Sequence, residues 1–441
     1  MNATELSRGI AERKLSPVEI TGACLERIEE HNATLRAFVF IDEGGALEAA
    51  RVAEAEIVRH GPRSTLHGIP IAYKDLCDVA GMPTTAGSRI LEGNIAERDC
   101  AVAARLRAAG AIALGKLNTF EFATGGQERF GEARNPWNLA YATGGSSTGA
   151  AAALAGRLVP LAIGTDTGGS VRIPASFCGL VALRPTRGRI DKTGVIPLSP
   201  TFDEVGPMAR MIADCALLFG AMTGCEGEAA ETDLRGVRIG IPDLWAECDP
   251  EVERAVATAS AVLQQLGATL VEIELPNARY GLPATLAISY NEAFAYHRKN
   301  LAMRRDDFTP MFAKKIVAAG AVRPEELAVA REQCERIATE FADALRSVDA
   351  IVTPATPSPA YRLGNQHLQS DNGVFTRAVT CAGVPALALP CGFTASGLPL
   401  GMQLVGRAME EARLFAFGAA YERATDWHRV RAPLKRAAVG A

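Results

Sequence analysis

One pattern recurs along this chain: a helical stretch of small or charged residues, a glycine, and then a short apolar run. It reads "AVAARLRAAG" then "AIALG" at 101–115, "TGAAAALAGRL" then "VPLAIG" at 148–164, and "VLQQLGATLVEIEL" at 262–275. Strands that alternate with helices are joined by helical crossovers and are buried on both faces. The alternation therefore predicts an α/β fold with helices covering both faces of a central sheet. No low-complexity linker divides the 441 residues, so one large domain over 1–441 is expected. Residues 1–60 read as a mainly helical segment. In it Ser16 is the expected N-cap of a helix, with Pro17 at its first position and Glu19 completing a capping box. Residues 276–345 lack strand patterns and are rich in charge and aromatics, so a helical lobe on the substrate side is expected there. The polar stretch 225–234 is expected to be a loop.

Charge and cysteine usage narrow the partners. The net charge is −4 and the pI near 6.0, which gives no basic footprint for nucleic acid. The local cluster "HRKNLAMRR" at 297–305 reads as a solvated helix face. The ten cysteines form no C-x-x-C pair and lie mostly in apolar runs, as expected of reduced thiols in a cytoplasmic protein. The first residues carry no apolar leader. No apolar run approaches the ~20 residues of a membrane span, so no membrane association is expected.

Three stretches carry chemistry. "GTDTGGSVRIPASFCG" at 164–179 sets Ser170 behind Gly168 and Gly169, packaging that suits a nucleophile whose neighbouring amides face a ligand. No histidine falls between His67 and His297 to take its proton. "TGGSSTGAAAALAG" at 143–156 contains G-x-S-x-G centred on Ser147. The strand that a nucleophile elbow needs before it is missing, and a Gly/Ser helix start explains the stretch as well. Neither glycine-rich stretch has the spacing of a phosphate-binding P-loop. "IPIAYKDLCDVAG" at 69–81 ends an apolar strand on Lys74. Burial without an acid partner would hold that amine neutral and make it a base, whereas a partner at Asp75 or Asp78 would keep it charged. Asp166 and Arg172 flank Ser170 and are expected to pair with each other. Cys178 is expected to be a buried small hydrophobe.

Taken together these segments resemble the amidase signature family. "GIPIAYKDL", "FGEARNPWN" (130–138), "GGSSTG", "GTDTGGSVRIPASFCGLVALRPT", "DEVGPMAR" (203–210), "DAIVTPATPSPA" (349–360) and "GVPALALPCGF…GLPLGMQLVG" (383–406) follow the family's order over nearly the whole chain. The resemblance implies a mixed central sheet and a Ser–cis-Ser–Lys triad. In it Ser170 is the acyl-forming nucleophile, Ser146 the bridging serine after a cis Gly145–Ser146 bond, and Lys74 the terminal base. The family's 24-residue step selects Ser146 over Ser147. The amides of Thr167, Gly168, Gly169 and Ser170 would form the oxyanion hole. Thr124, Gly125 and Tyr290 are expected at the substrate, and Phe294 and Phe312 are further candidates. Thr148, Ala150 and Thr380 depart from the family's usual glycine, serine and asparagine.

The activity so implied is hydrolysis of a small-molecule carboxamide to an acid plus ammonia or an amine, without metal or organic cofactor. The amide is left open among aliphatic, aryl, urea-derived and glutamine substrates. The resemblance leaves two protein partners open, a second copy in a homodimer and a small accessory subunit. Two rival readings stand beside it. One is the glutaminase subunit of a tRNA-dependent amidotransferase. The other is an α/β-hydrolase esterase nucleophilic at Ser147 with His297 or His428 as base.

Overall fold

Alternate residues of the inner strands go to opposite sides of the sheet, and the two sides differ in size. Ile71 and Tyr73, Leu161 and Ile163, Val181 and Leu183, and Leu387 and Leu389 pack into one core; Ala72, Ala162, Ala182 and Ala388 pack into the other. The large residues meet helices Ala101–Ala108, Ile212–Thr223 and Glu411–Arg423. The alanines let two small-residue helices, Thr148–Ala155 and Arg172–Cys178, lie close against the sheet. The approach is tight: a Cβ on Gly149 would sit 2.2 Å from the Ala37 carbonyl oxygen and 2.4 Å from the Asn118 amide nitrogen. The polyalanine run "AAAALA" is thus dictated by space as much as by helix propensity.

The computed structural model describes residues 1–225 and 232–434. Residues 226–231, most of the expected loop 225–234, lie outside the described residues. Eleven strands among the described residues form one sheet. They are β1 (Phe38–Ile41), β2 (Pro70–Lys74), β3 (Ile112–Leu117), β4 (Leu161–Asp166), β5 (Val181–Arg184), β6 (Glu204–Ala209), β7 (Arg238–Pro242), β8 (Thr269–Ile273), β9 (Ala350–Pro354), β10 (Ala386–Phe393) and β11 (Pro399–Val405). Their order is β1-β3-β2-β4-β6-β5-β10-β11-β9-β7-β8. The sheet is mixed: β3, β2 and β4 run parallel, β4, β6, β5, β10, β11 and β9 pair antiparallel, and β9, β7 and β8 are parallel again. It is the single large α/β domain expected.

Because β2, β3 and β4 are parallel neighbours, their carboxyl ends open on the same edge, where ligands of open α/β sheets bind. Lys74 ends β2, Asn118 to Phe120 follow β3, and Thr167 to Ser170 follow β4. Residues 276–345 fold mainly as helices Gly281–Met303, Pro310–Ala319 and Pro324–Ser347. Near the N-terminus, Ser16 caps helix Pro17–Leu35 by accepting from the Val18 and Glu19 amides. The reciprocal bond from the Ser16 amide to the Glu19 carboxylate is not made; the Ser16 hydroxyl also donates to Glu54, on the neighbouring helix Glu43–His60.

Candidate active site

Lys74 is fully buried at the end of β2. Its Nζ lies 2.7 Å from Ser146 Oγ and 2.8 Å from Thr165 Oγ1. Among the described residues it has no carboxylate within ion-pair distance. The adjacent Asp75 is taken by Lys116, 3.4 Å away and equally buried, and by Thr85. Desolvation therefore dominates and lowers the Lys74 pKa from 10.5 to about 7, against the weaker pull of Cys77, Asp203 and Asp166. At neutral pH much of this lysine is a free amine, with one N–H donating to Thr165 and a lone pair available to the Ser146 hydroxyl.

Ser146 follows a cis Gly145–Ser146 peptide and is buried. It lines one cleft together with Gly145, Gly168, half-buried Ser170, Ile173, Thr124 and Tyr290. The two serine segments are tied together directly: the Ser147 amide donates to the Ser170 carbonyl at 3.2 Å. The structure thus brings Ser146 and Ser170 to one cleft and sets Lys74 within hydrogen-bond distance of Ser146.

Ser147 is buried with its hydroxyl held between the Thr165 amide and carbonyl, 3.3 Å from each. Among the described residues, neither histidine of the esterase reading bonds to it. His297 is packed against Phe122, Phe308 and Phe312 with both ring nitrogens unpartnered, and burial lowers its pKa to about 4. His428 sits in the turn Trp427–Arg429. The Ser147 elbow lacks both a free hydroxyl and a base.

The loop after β4 is fixed by a buried ion cluster. Arg172 grips Asp166 through Nη2 at 2.9 Å and Nε at 3.0 Å, and Arg184 adds a third contact at 3.0 Å. Burial alone would raise the Asp166 carboxyl, but the two guanidinium groups hold it far below the usual carboxylate range. Arg172 also donates to the Thr376 carbonyl, Gln403 and the Thr380 hydroxyl. Thr380, the departure from asparagine, still supplies an oxygen to this guanidinium. Thr148 is likewise engaged, accepting from Gln127 at 3.0 Å and donating to the Asn118 carbonyl at 3.2 Å. Ala150 is fully buried beside the sheet.

Three expectations need correction. The Gly169 amide donates to Asp166 Oδ1 at 2.8 Å, so it braces the loop rather than facing the cleft unpaired; its φ of +122° and its close approach to Thr376 explain the glycine. Among the described residues the amides of Thr167, Gly168 and Ser170 make no such bond, while the Thr167 hydroxyl donates to Asp203 at 2.5 Å. Gly125 is packed against Phe312 and Glu121 behind the cleft, unlike its neighbour Thr124. Phe312 belongs to the His297 cluster and Phe294 packs over Gly320, so neither lines the cleft. Cys178 is buried as expected, with burial pushing its thiol well up.

The cleft also holds Met311, Lys315, Gln369 and Arg377, which sequence reasoning missed. Gln369 donates to the Gly145 carbonyl at 2.9 Å, at the cis bond itself. These residues lie more than 140 positions beyond Ser170 in segments without a local motif, so nothing in their own neighbourhood marks them.

The family model for amidases matches residues 19–415. A curated relative from Roseiflexus castenholzii, one of the subunits of a glutamyl-tRNA(Gln) amidotransferase, is 38% identical over 95% of this chain and 94% of its own. Among solved structures, a chain of a vestigial protein complex tied to the evolutionary origins of an s-triazine catabolic enzyme superposes with a TM-score of 0.89 at 29% identity, over 99% of this chain and 100% of that one. The native peptide amidase of Stenotrophomonas maltophilia gives 0.84 at 29% identity, over 99% and 98%. The chain is accordingly an enzyme acting on C–N bonds, a hydrolase or an amidotransferase. This chain belongs to the amidase signature family.

Proposed function

We propose that the chain cleaves a carboxamide through an acyl-enzyme at Ser170. The Ser170 oxygen bonds to the amide carbon while its proton passes to Ser146 and the Ser146 proton to neutral Lys74. The amides of Gly168 and Ser170 take the charge that develops on the carbonyl oxygen. The C–N bond then breaks, and the leaving nitrogen receives the proton back along the same relay. Water, activated in turn by Ser146 and Lys74, opens the ester and frees the acid. The observation that carries this reading is the buried, acid-free Lys74 within 2.7 Å of Ser146.

Curated relatives 36–39% identical along nearly their whole length favour one form of this reading, the ammonia-producing subunit of an amidotransferase, over a free-standing hydrolase. On that form the partners include other subunits and, through them, tRNA. The lack of a basic footprint then describes this chain alone and not the assembly it would join. The free-standing form is favoured by one feature of the cleft: among the described residues Lys315 and Arg377 line it and no Asp or Glu does, which leaves the ammonium of glutamine without a counter-charge.

Ammonia release from glutamine and from a panel of small amides, with and without co-purified partners, separates the two forms. Glutaminase activity that needs partners supports the amidotransferase form; turnover of other amides by the chain alone supports the hydrolase. Either activity must vanish in Ser170→Ala. Turnover that survives this substitution would overturn the triad.

A further inference from the structure

We infer that Cys334 and Cys381 are an oxidisable pair which a peroxide closes into a disulfide, tying helix Pro324–Ser347 to helix Val374–Ala382, the helix that braces the Ser170 loop.

The two thiols meet where these helices pack on each other. Cys334 lies on the buried face that also carries Ala330 and Ile337, and Cys381 lies one turn beyond Ala378. All four belong to one apolar core, and the two alanines leave room for the helices to come close. The sulfur atoms stand 2.9 Å apart. A disulfide holds its sulfurs ~2.0 Å apart, so ~0.9 Å of approach, shared between two side chains, completes the bond.

The two cysteines differ in a way that assigns them roles. Cys334 keeps 9% of its surface in solvent, whereas Cys381 keeps 1%, with its sulfur 3.9 Å from the Gly281 carbonyl. Arg187 stands over the pair, donating to the carbonyls of Thr380 at 2.7 Å and Cys381 at 3.0 Å. The hydrogen bond from Cys381, helped by the Arg187 charge, draws the Cys334 thiol below its ordinary pKa against burial and the neighbouring Glu335. Giving that bond, and then burial, push the Cys381 thiol up. Cys334 is thus the attacking thiol and Cys381 the resolving one.

The Cys334 thiolate attacks one oxygen of hydrogen peroxide. The O–O bond breaks, a sulfenic acid forms on Cys334, and the hydroxide that leaves takes up the thiol proton as water. The Cys381 sulfur then attacks the sulfenic sulfur. The S–S bond forms, the S–O bond breaks, and the hydroxyl departs with the Cys381 proton as a second water. The dithiol loses two electrons and the peroxide gains them.

The place of the tie gives it a structural consequence. Thr376 donates to the Gly168 carbonyl at 2.7 Å, and Thr380 accepts from Arg172 at 3.1 Å. Both are on the helix that Cys381 closes, so the bond fastens a neighbouring helix to the support of the Ser170 loop and resists their separation on unfolding.

The test uses the Cys225→Ser protein, which lacks the exposed thiol that would otherwise react first. It is treated with hydrogen peroxide, alkylated, digested and mapped by mass spectrometry, with thermal melting before and after. We expect a peptide pair joined through Cys334 and Cys381, reversed by dithiothreitol. The melting temperature should rise by roughly 4 °C, as chain entropy gives for a tie across about 48 residues in a protein of this length. In the same background Cys381→Ser should trap a sulfenic acid at Cys334, captured by a 1,3-diketone probe, while Cys334→Ser should leave Cys381 unoxidised. Should a serine variant fail to fold, the mapping of the Cys225→Ser protein decides. Oxidation that falls on other cysteines and leaves this pair as thiols, or a joined pair that shifts melting by less than about 1 °C, overturns the inference. None of these readouts depends on which amide the chain cleaves.

Discussion

Replacing Lys74 by methionine should make the protein more stable at neutral pH while removing its activity. The reason is the free energy spent on holding a lysine neutral. Unfolded, the amine titrates near 10.5; folded, near 7. That displacement is worth roughly 5 kcal/mol at 1.36 kcal/mol per pH unit. Because the folded pKa lies below the unfolded one, the unfolded chain holds more protons between pH 7 and 10.5. Wild-type stability therefore rises with pH across that window and is lowest at and below pH 7. Methionine fills nearly the same volume and titrates nowhere, so it escapes the whole term. It forfeits the contacts to Ser146 and Thr165, about 1 kcal/mol each for neutral hydrogen bonds. The net expectation is a gain of about 3 kcal/mol at pH 7.

Denaturant unfolding of both proteins at pH 7 and pH 9.5 measures it. By pH 9.5 the wild type has regained most of its deficit, ~3 kcal/mol, so the two curves should nearly coincide there. In parallel, wild-type kcat/KM should climb about tenfold per pH unit below 7 and level off above it, as expected when the free amine is the reactive form. A methionine variant that is less stable than wild type at pH 7, or whose advantage is the same at both pH values, would show that Lys74 is not held neutral by burial. The relay argument would fall with it.

Two further perturbations bear on other buried charges. Asp166→Asn leaves Arg172 and Arg184 without their shared counter-charge and should cost about 3–5 kcal/mol in denaturant unfolding, as for one partner removed from a buried ion pair; a loss under about 1 kcal/mol would mean that the cluster does not hold the Ser170 loop. His297, whose folded pKa near 4 lies below its ordinary 6.5, withdraws stability as pH falls through that interval, by roughly 3 kcal/mol in full. His297→Leu should flatten the acid-side decline in melting temperature between pH 6.5 and 4, and an unchanged decline would place the titrating group elsewhere.

The parts of the site that could be read from sequence are those that lie within a few residues of one another or at the end of a patterned element. Lys74 closes a strand whose apolar run is unmistakable, and Ser146 and Ser170 sit in glycine-rich stretches whose residue types already indicate exposed amides. The helix–glycine–strand grammar marked the crossovers, because a glycine at a helix end is a local requirement. What could not be read is direction and long-range company. "TGG" at 124–126 says that the chain turns there, not that Thr124 faces the cleft while Gly125 is packed on Phe312. The glycines before Ser170 look alike in sequence, yet one keeps its amide free and the other gives it to Asp166. Arg377 and Lys315 enter from helices far along the chain, and only the folded packing of those helices on the Ser170 loop gives their charges a meaning. Ser16 shows the same limit on a small scale: its hydroxyl caps the helix as expected and also donates to Glu54 on another helix, while Glu19 does not return the bond.

The two lysines at the centre of the sheet explain why one of them can be a base. Lys74 and Lys116 sit on adjacent parallel strands, and both are fully buried. A single carboxylate, Asp75, lies beside them in the chain. It is held by Lys116, which also donates to the Pro83 carbonyl at 2.9 Å and the Thr84 hydroxyl at 2.8 Å. Lys74 is left with two hydroxyls, which can donate to an amine as well as accept from one. Asp75 lies in the turn that follows the strand, where its carboxylate accepts from Thr85 and meets Lys116. The dipeptide Lys74-Asp75, which in sequence looks like a self-neutralising pair, is thus the means of keeping them apart. Burial without a counter-ion then sets the pKa of Lys74 near the pH at which a proton relay is useful.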